Sequence, residues 1–421
     1  MFANLINGSF AIADEFWKAE PLQVRIDTLR RGRPRIAWLY EKPDTSTFRY
    51  RCFNPATSLA AAQLDIGAAW FALAEMPKVL DVVGKLDTLI VCRVRYNAEV
   101  ARLIARAIAQ GTRILFDCDD LVFDSRYVHL VIKTLDQPDD DAAHWDFWHA
   151  TIGRIEATAR LCHGGIATNA FLAERLGRVI GDATCAIVPN YLARDQETIS
   201  RQLFETKRKR GFAGTGPITI GYFSGTPTHN NDFAIAAPAL ARLLSNDSKT
   251  RLRIVGFPPP NGPLAAFTDR IETIPLQDYL NLQRVIAEVE INIAPLQNNE
   301  FSNCKSELKF FEAAAVGTWT IASPTYTFQQ SIEDGVTGRL ARAHEWDQAL
   351  AEAVELVRDP ERYTPMAEAA AAACYERYGW NNQLGCIIRA VGVNDLNTSS
   401  QSPMSSTRLG LRPINSRLIK G

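Results

Sequence analysis

A repeated alternation most constrains how this chain can fold. Short apolar runs take turns with helical patterns along most of its 421 residues. The runs at 36–40, 89–92 and 113–117 begin the series, and 164–168 and 185–188 continue it. Between two of them, 99–110 reads as an amphipathic helix stopped by Gly111. Strands apolar on both faces and separated by helices belong in a parallel sheet covered on both sides. Residues 191–216 interrupt the pattern with a polar, charged stretch ending in Gly211, Gly214, Gly216 and Pro217, which predicts an interdomain linker. The alternation then restarts at 218–223 and runs through 252–256, 291–294 and 320–322. The expectation is an α/β chain of two doubly wound, Rossmann-like domains facing across a cleft at the carboxyl ends of their strands. The boundaries follow as an extension over 1–33, a first domain over 34–195 and a second over 196–377. A closing helix over 378–393 is expected to return to the first domain. The tail, 394–421, is rich in Ser, Asn, Pro and Arg without apolar period and is expected to be disordered.

Composition narrows the class of function. A hydrophobic share of 47% with 22% charged residues is that of a globular protein, and a net charge of −1 gives no overall pull toward nucleic acid. No apolar run approaches the roughly 20 residues needed to span a bilayer, and the N-terminus lacks the pattern of a signal peptide. The eight cysteines form no C-x-x-C pair and the six histidines are scattered, so no zinc-like centre of Cys and His is expected. Free thiols in a reducing cytoplasm are the economical reading. Basic clusters at 25–35 and 207–210 are either solvated or available to a lipid surface or anionic acceptor.

The segment 303–324 carries the strongest functional signal. It predicts a loop, a helix, a stop at Gly317 and a strand ended by Pro324. At about 100° per residue, Lys305, Lys309 and Glu312 share a narrow face, while Leu308, Phe311 and Ala315 form a separate apolar stripe. Two lysines at i and i+4 repel, and near a helix start they suit an anion such as a phosphate. A solvated face with a Lys309–Glu312 pair is the plainer alternative.

Three loops after strands add to it. Residues 221–233 run from a strand through Gly225, Thr226 and His229 into a helix, a small-residue turn able to approach a diphosphate although it is neither a Walker loop nor G-x-G-x-x-G. Asp117, Asp119 and Asp120 follow another strand; they are a D-x-D metal site, an acceptor-side base, or a capped turn. Thr47, Arg49 and Arg51 follow the first strand and suit a polyhydroxyl or anionic ligand.

Taken together these pieces resemble the GT-B fold glycosyltransferases of the large retaining group, known as glycosyl transferases group 1 or family 4-like. The resemblance spans about 35–392. It rests on F-D-C-D-D-L-V-F-D at 116–124, G-G-I-A-T-N-A-F-L-A at 164–173 and I-V-P-N at 187–190. It also rests on G-Y-F-S-G-T-P-T-H-N-N-D-F at 221–233, K-S-E-L-K-F-F-E-A-A-A-V-G at 305–317, I-A-S-P at 321–324 and D-G-V-T-G at 334–338. It implies a transferase that moves a sugar from a nucleoside diphosphate donor to a glycan or glycolipid in surface polysaccharide assembly. Such an enzyme is expected to be cytoplasmic, peripheral to the membrane, metal-independent and retaining, with no cofactor beyond the donor. Glu312 matches the second glutamate of the family's E-x(7)-E motif, the ribose ligand. The implied donor side comprises Gly225, Thr226, His229, Asn303, Cys304, Lys305, Ser306, Lys309 and Glu312. The implied acceptor side comprises Thr47, Arg49 and Arg51, with Asp119, Asp120 and Lys309 as catalytic groups. The chain departs from the family at Cys304, which replaces the motif's first glutamate, a donor-sugar ligand. That departure keeps open a non-catalytic nucleotide-sugar-binding subunit, and the D-x-D pattern keeps open a metal-dependent transferase using Asp117 and Asp119.

Overall fold

The structure, a computed structural model, describes residues 15–392 except 63, 136, 139, 215 and 226–229. Residues 1–14 of the expected extension and the tail from 393 lie outside the described residues, as do Thr226 and His229.

The first domain is built on β1 (Arg35–Tyr40), β2 (Gly67–Ala72), β3 (Thr88–Cys92), β4 (Arg113–Cys118), β5 (Gly164–Ala167) and β6 (Cys185–Ile187). They form one parallel sheet in the order β2-β1-β3-β4-β5-β6. The second is built on β7 (Ile218–Ser224), β8 (Thr250–Gly256), β9 (Ile271–Ile274), β10 (Ile291–Ala294), β11 (Trp319–Ala322) and β12 (Arg339–Leu340). Its parallel order is β12-β11-β10-β7-β8-β9. The apolar runs behave as period-2 strands buried on both faces. In β3, Leu89 and Val91 enter one core while Ile90 and Cys92 enter the other. The strand order reverses between β1 and β3 in the first sheet and between β7 and β10 in the second. Those two switch points are where doubly wound sheets leave a crevice for ligands.

Two apolar cores cross from one domain to the other. Ile36, Trp38 and Phe48 share a cluster with Phe310, Phe311 and Ala314, and Phe301 and Cys304 join the opposite first-domain core. The final helix, Trp380–Ala390, returns to pack on the first-domain helix Asn54–Ala61 and on β6. Thr88 Oγ1 donates to the Val391 carbonyl at 3.3 Å to fix it there. Among the described residues no helix is long and apolar enough to cross a membrane.

Three expectations need correction. The stretch expected to be a linker is mostly the helix Arg194–Lys209, packed on the helix Tyr279–Ala287. Its buried positions are Gln196, Ser200 and Lys207, so hydropathy conceals the packed face. The helix expected to carry Lys305 and Lys309 together is two helices, Glu300–Cys304 and Leu308–Ala314, with Lys305 extended between them. Strands β2, β9 and β12 were not anticipated. The first is rich in Gly and Ala, and a Cβ at Gly67 would lie 2.0 Å from the Leu29 carbonyl, so the strand admits the helix Leu22–Arg30 only because it lacks one.

Candidate active site

At the first switch point, the loop after β1 brings Thr47 to the end of β3, and β4 delivers three aspartates beside it. Arg93, immediately after β3, donates to Thr47 Oγ1 at 2.8 Å and Asp119 Oδ1 at 3.0 Å, and stands 3.8 Å from Asp120 Oδ2. Thr47 Oγ1 in turn donates to Asp119 Oδ2 at 3.2 Å. Asp117 is buried, and the Arg51 fork takes both its oxygens, at 2.7 and 3.0 Å. Burial still pushes its carboxyl up to about 6, against the pull of Arg51. The D-x-D carboxylates are thus held apart by separate arginines, and among the described residues no three His, Cys, Asp or Glu side chains converge as metal ligands.

Arg49 and Arg51 do not line an open acceptor surface. They sit in a π-helical turn, Arg49–Phe53, that winds both side chains inward. Arg51 continues from Asp117 to the Val188 carbonyl at 2.7 Å and Asn190 Oδ1 at 3.1 Å. Asn190 Nδ2 then donates to Ser306 Oγ at 3.1 Å, which links the I-V-P-N end of the first domain to the second. Arg49 reaches the donor side instead, as described below.

At the second switch point, Gly225 follows β7, and among the described residues beyond its chain neighbours no atom lies within 4 Å of the Cβ it lacks. Gly256 closes in behind it: at φ +84° a Cβ would fall 2.0 Å from the Ser224 carbonyl. The helix Leu308–Ala314 is tied to β10 by Asn292 Nδ2, which donates to the Lys309 carbonyl at 2.9 Å. That tether aims Lys309 across the sheet, where its ammonium donates to the Phe223 carbonyl and lies 4.7 Å from the Tyr222 ring centre. Burial lowers the Lys309 pKa to about 8, opposed by Asp232 and Glu312 and helped by Lys305. Lys305, half-buried over the Phe301 ring, has no ion pair within 4 Å among the described residues and shares a field with Asp120. Asn303 is committed to structure, accepting from the Tyr326 N–H at 2.8 Å. Cys304 is fully buried, and its carbonyl accepts from Asn169 Nδ2 at 3.0 Å.

Glu312 lies one turn beyond Lys309 and faces the first domain. Tyr50 Oη donates to its Oε1 at 2.6 Å and Gln196 Nε2 donates to the same oxygen at 3.1 Å. The Arg49 guanidinium stands 3.9 Å away, sandwiched 3.9 Å over Tyr50 and 4.4 Å over Tyr279. Burial raises the Glu312 pKa, against Arg49 and these hydrogen bonds. Tyr50, Gln196 and Arg93 were not singled out from the sequence, whereas Asn190 was, as the end of the I-V-P-N segment. Tyr50 alone carried a signal, as the residue between two arginines that were.

Two doubly wound domains facing across switch points of this kind define the GT-B class. The model of the family described as glycosyl transferases group 1 matches residues 217–359. A comparison with the curated proteins finds no match. Among solved structures the chain is similar to Anabaena HepE in complex with UDP-glucose, at 12% identity over 85% of this chain and 99% of that one, with a TM-score of 0.56. A glycosyltransferase from Rickettsia africae gives 13% identity, 85% and 98% coverage and a TM-score of 0.53. A UDP-forming alpha,alpha-trehalose-phosphate synthase from Burkholderia xenovorans gives 11%, 76% and 77%, with a TM-score of 0.51. The chain has the fold of the GT-B glycosyltransferases, and residues 217–359 of its second domain match the group 1 glycosyl transferase model.

Proposed function

We propose that the protein transfers a glycosyl group from a UDP-sugar to a hydroxyl of a glycan or glycolipid, in surface polysaccharide assembly at the inner face of a membrane, without a metal and with retention. The observation that carries this reading is the placement of Lys309 and Glu312 one turn apart at the β7/β10 crevice, beside Gly225. HepE, whose complexes hold UDP and UDP-glucose, shares this fold over most of both chains and supports the choice of base. In the reaction the bond from the anomeric carbon to the β-phosphate oxygen breaks and its electron pair leaves with UDP. A bond forms from that carbon to the acceptor oxygen, which gives up its proton to a carboxylate of the first-domain wall. Lys309 and Lys305 would offset the charge gathering on the diphosphate, in a cleft dry enough to strengthen the attraction. Glu312 would hold the ribose hydroxyls. Closure of the two domains would limit hydrolysis of the donor.

Calorimetry with UDP tests the site, and UDP release from UDP-glucose in excess EDTA tests the metal independence. Wild-type protein should bind, Lys309→Ala and Glu312→Ala should bind at least tenfold more weakly, as expected for about 1.4 kcal/mol or more lost, and EDTA should not slow release. Equal affinity in all three proteins would sink the site, and abolition of release by EDTA would sink the metal-free mechanism.

A further inference from the structure

Arg93 has a backbone that side chains rarely adopt. Its φ is +50°, in the left-handed region, which costs a non-glycine residue of order 1 kcal/mol. The conformation is held at both ends. Its N–H donates to the Asp117 carbonyl at 3.2 Å, and its guanidinium is fixed on Thr47 and Asp119. The turn sends the guanidinium back over the carboxyl ends of β1, β3 and β4, at the switch point itself.

The result is unequal treatment of two neighbouring carboxylates. Asp119 is consumed by Arg93 and Thr47 and is 12% exposed. Asp120 is 33% exposed, and among the described residues its carboxylate accepts no hydrogen bond. The groups that face it are Asp119 and Cys118 from its own loop, Arg93 from the end of β3, and Lys305 and Cys304 from the second domain. We propose that Arg93 is a positioning residue, which fixes Asp119 as a strut and presents Asp120 to the acceptor hydroxyl, opposite Lys305 on the donor side. This rests on the transferase reading above. All three contacts are made by Nη1, so a lysine would bring the charge to them, but on a flexible stem that does not hold it fixed. Burial and Asp119 raise the Asp120 carboxyl, while Lys305 and Arg93 oppose them. Loss of the guanidinium therefore raises it further.

The test uses UDP-glucose as donor probe and water in the place of the acceptor, in wild type, Arg93→Lys, Arg93→Ala and Asp120→Asn. UDP affinity, read by calorimetry, should stay within about twofold in all four, since the donor half is untouched. UDP release should fall about tenfold or more in Arg93→Ala and Asp120→Asn. The acid limb of the pH–rate profile should move to higher pH in Arg93→Ala and stay in place in Arg93→Lys, whose rate is lower. Added guanidine should restore part of the Arg93→Ala rate. An unmoved acid limb in Arg93→Ala, or no rescue by guanidine, overturns the proposal while leaving the transferase reading intact. Failure of the wild type to bind UDP overturns that reading and the proposal with it. Should Arg93→Ala not fold, full activity in Arg93→Lys overturns the proposal and a loss with an unmoved limb supports it.

Discussion

Replacing Tyr50 with phenylalanine removes one oxygen atom, and its effects should appear with opposite signs in two measurements. The Tyr50 hydroxyl donates to Glu312 at 2.6 Å in a buried contact between the domains. Hydrogen bonds to charged groups contribute about 1.5–3 kcal/mol net, so the unliganded variant should lose about that much stability. Gln196 at 3.1 Å and Arg49 at 3.9 Å still face the carboxylate, which keeps the loss toward the lower end. If Glu312 takes the ribose hydroxyls, the same bond must open when UDP binds, and in wild type its free energy is subtracted from the affinity. Tyr50→Phe should then bind UDP about tenfold more tightly, each 1.4 kcal/mol being a factor of ten. Urea unfolding gives the first quantity and calorimetry with UDP the second, and the two should agree within about 1 kcal/mol. A variant that is destabilised and binds UDP no better than wild type refutes the reasoning. That outcome would mean that Tyr50 stays on Glu312 in the complex, or that the nucleotide never reaches it.

Three further outcomes follow from buried titratable groups. Lys309 is held near a pKa of about 8, so UDP affinity of wild type should weaken as pH rises through 8 and the ammonium is lost. Calorimetry from pH 7 to 9 should show that decline, and Lys309→Ala should lack it. Lys207 is buried with its amine on the Val289 carbonyl at 2.6 Å and Thr318 Oγ1 at 2.7 Å, and burial lowers its pKa to about 7. Between there and about 10.4 the unfolded chain binds the extra proton, so the contribution of Lys207 to stability rises with pH, by up to roughly 1.4 kcal/mol per unit. The stability difference between wild type and Lys207→Met in urea should therefore grow from pH 7 to 9, and parallel lines would contradict it. Cys304→Glu, which inserts the family's residue, should destabilise by about 3 kcal/mol or more, because it buries a carboxylate beside Asp120. A thermal shift with UDP present and absent checks this, and a variant as stable as wild type counts against it.

The fold was legible where hydropathy and period agree. Strands such as β1 and β3 are apolar throughout 36–39 and 89–92 because both faces are covered, and among the described residues no helix of that length is so uniformly apolar. β2 was missed because glycine and alanine carry little hydropathy, and its glycine answers to a helix packed onto it from elsewhere in the chain. The helix Arg194–Lys209 was missed for the opposite reason. Its packed face uses Gln196, Ser200 and Lys207, whose burial depends on partners such as Gln283, the Val289 carbonyl and Thr318 in distant segments.

In the site, Lys309 and Glu312 could be placed from helical phase, and the aspartates from their position after a strand. What phase cannot supply is the opposite wall. Tyr50 meets Glu312 only because two domains meet, Gln196 only because the helix Arg194–Lys209 packs on the second domain, and Arg93 acts only because its backbone takes a left-handed turn. The same contact between domains gives Cys304 its meaning. Eight residues before Glu312, the resemblance places a carboxylate that reaches the donor sugar. Here the thiol is sealed into the first-domain core, and Asp120 stands in its field from the other side of the cleft. A carboxylate at the buried position 304 would repel Asp120, so a glutamate at 304 and an aspartate at 120 disfavour each other. With cysteine at 304, the negative charge of this corner enters from the first domain, on a loop whose aim Arg93 sets.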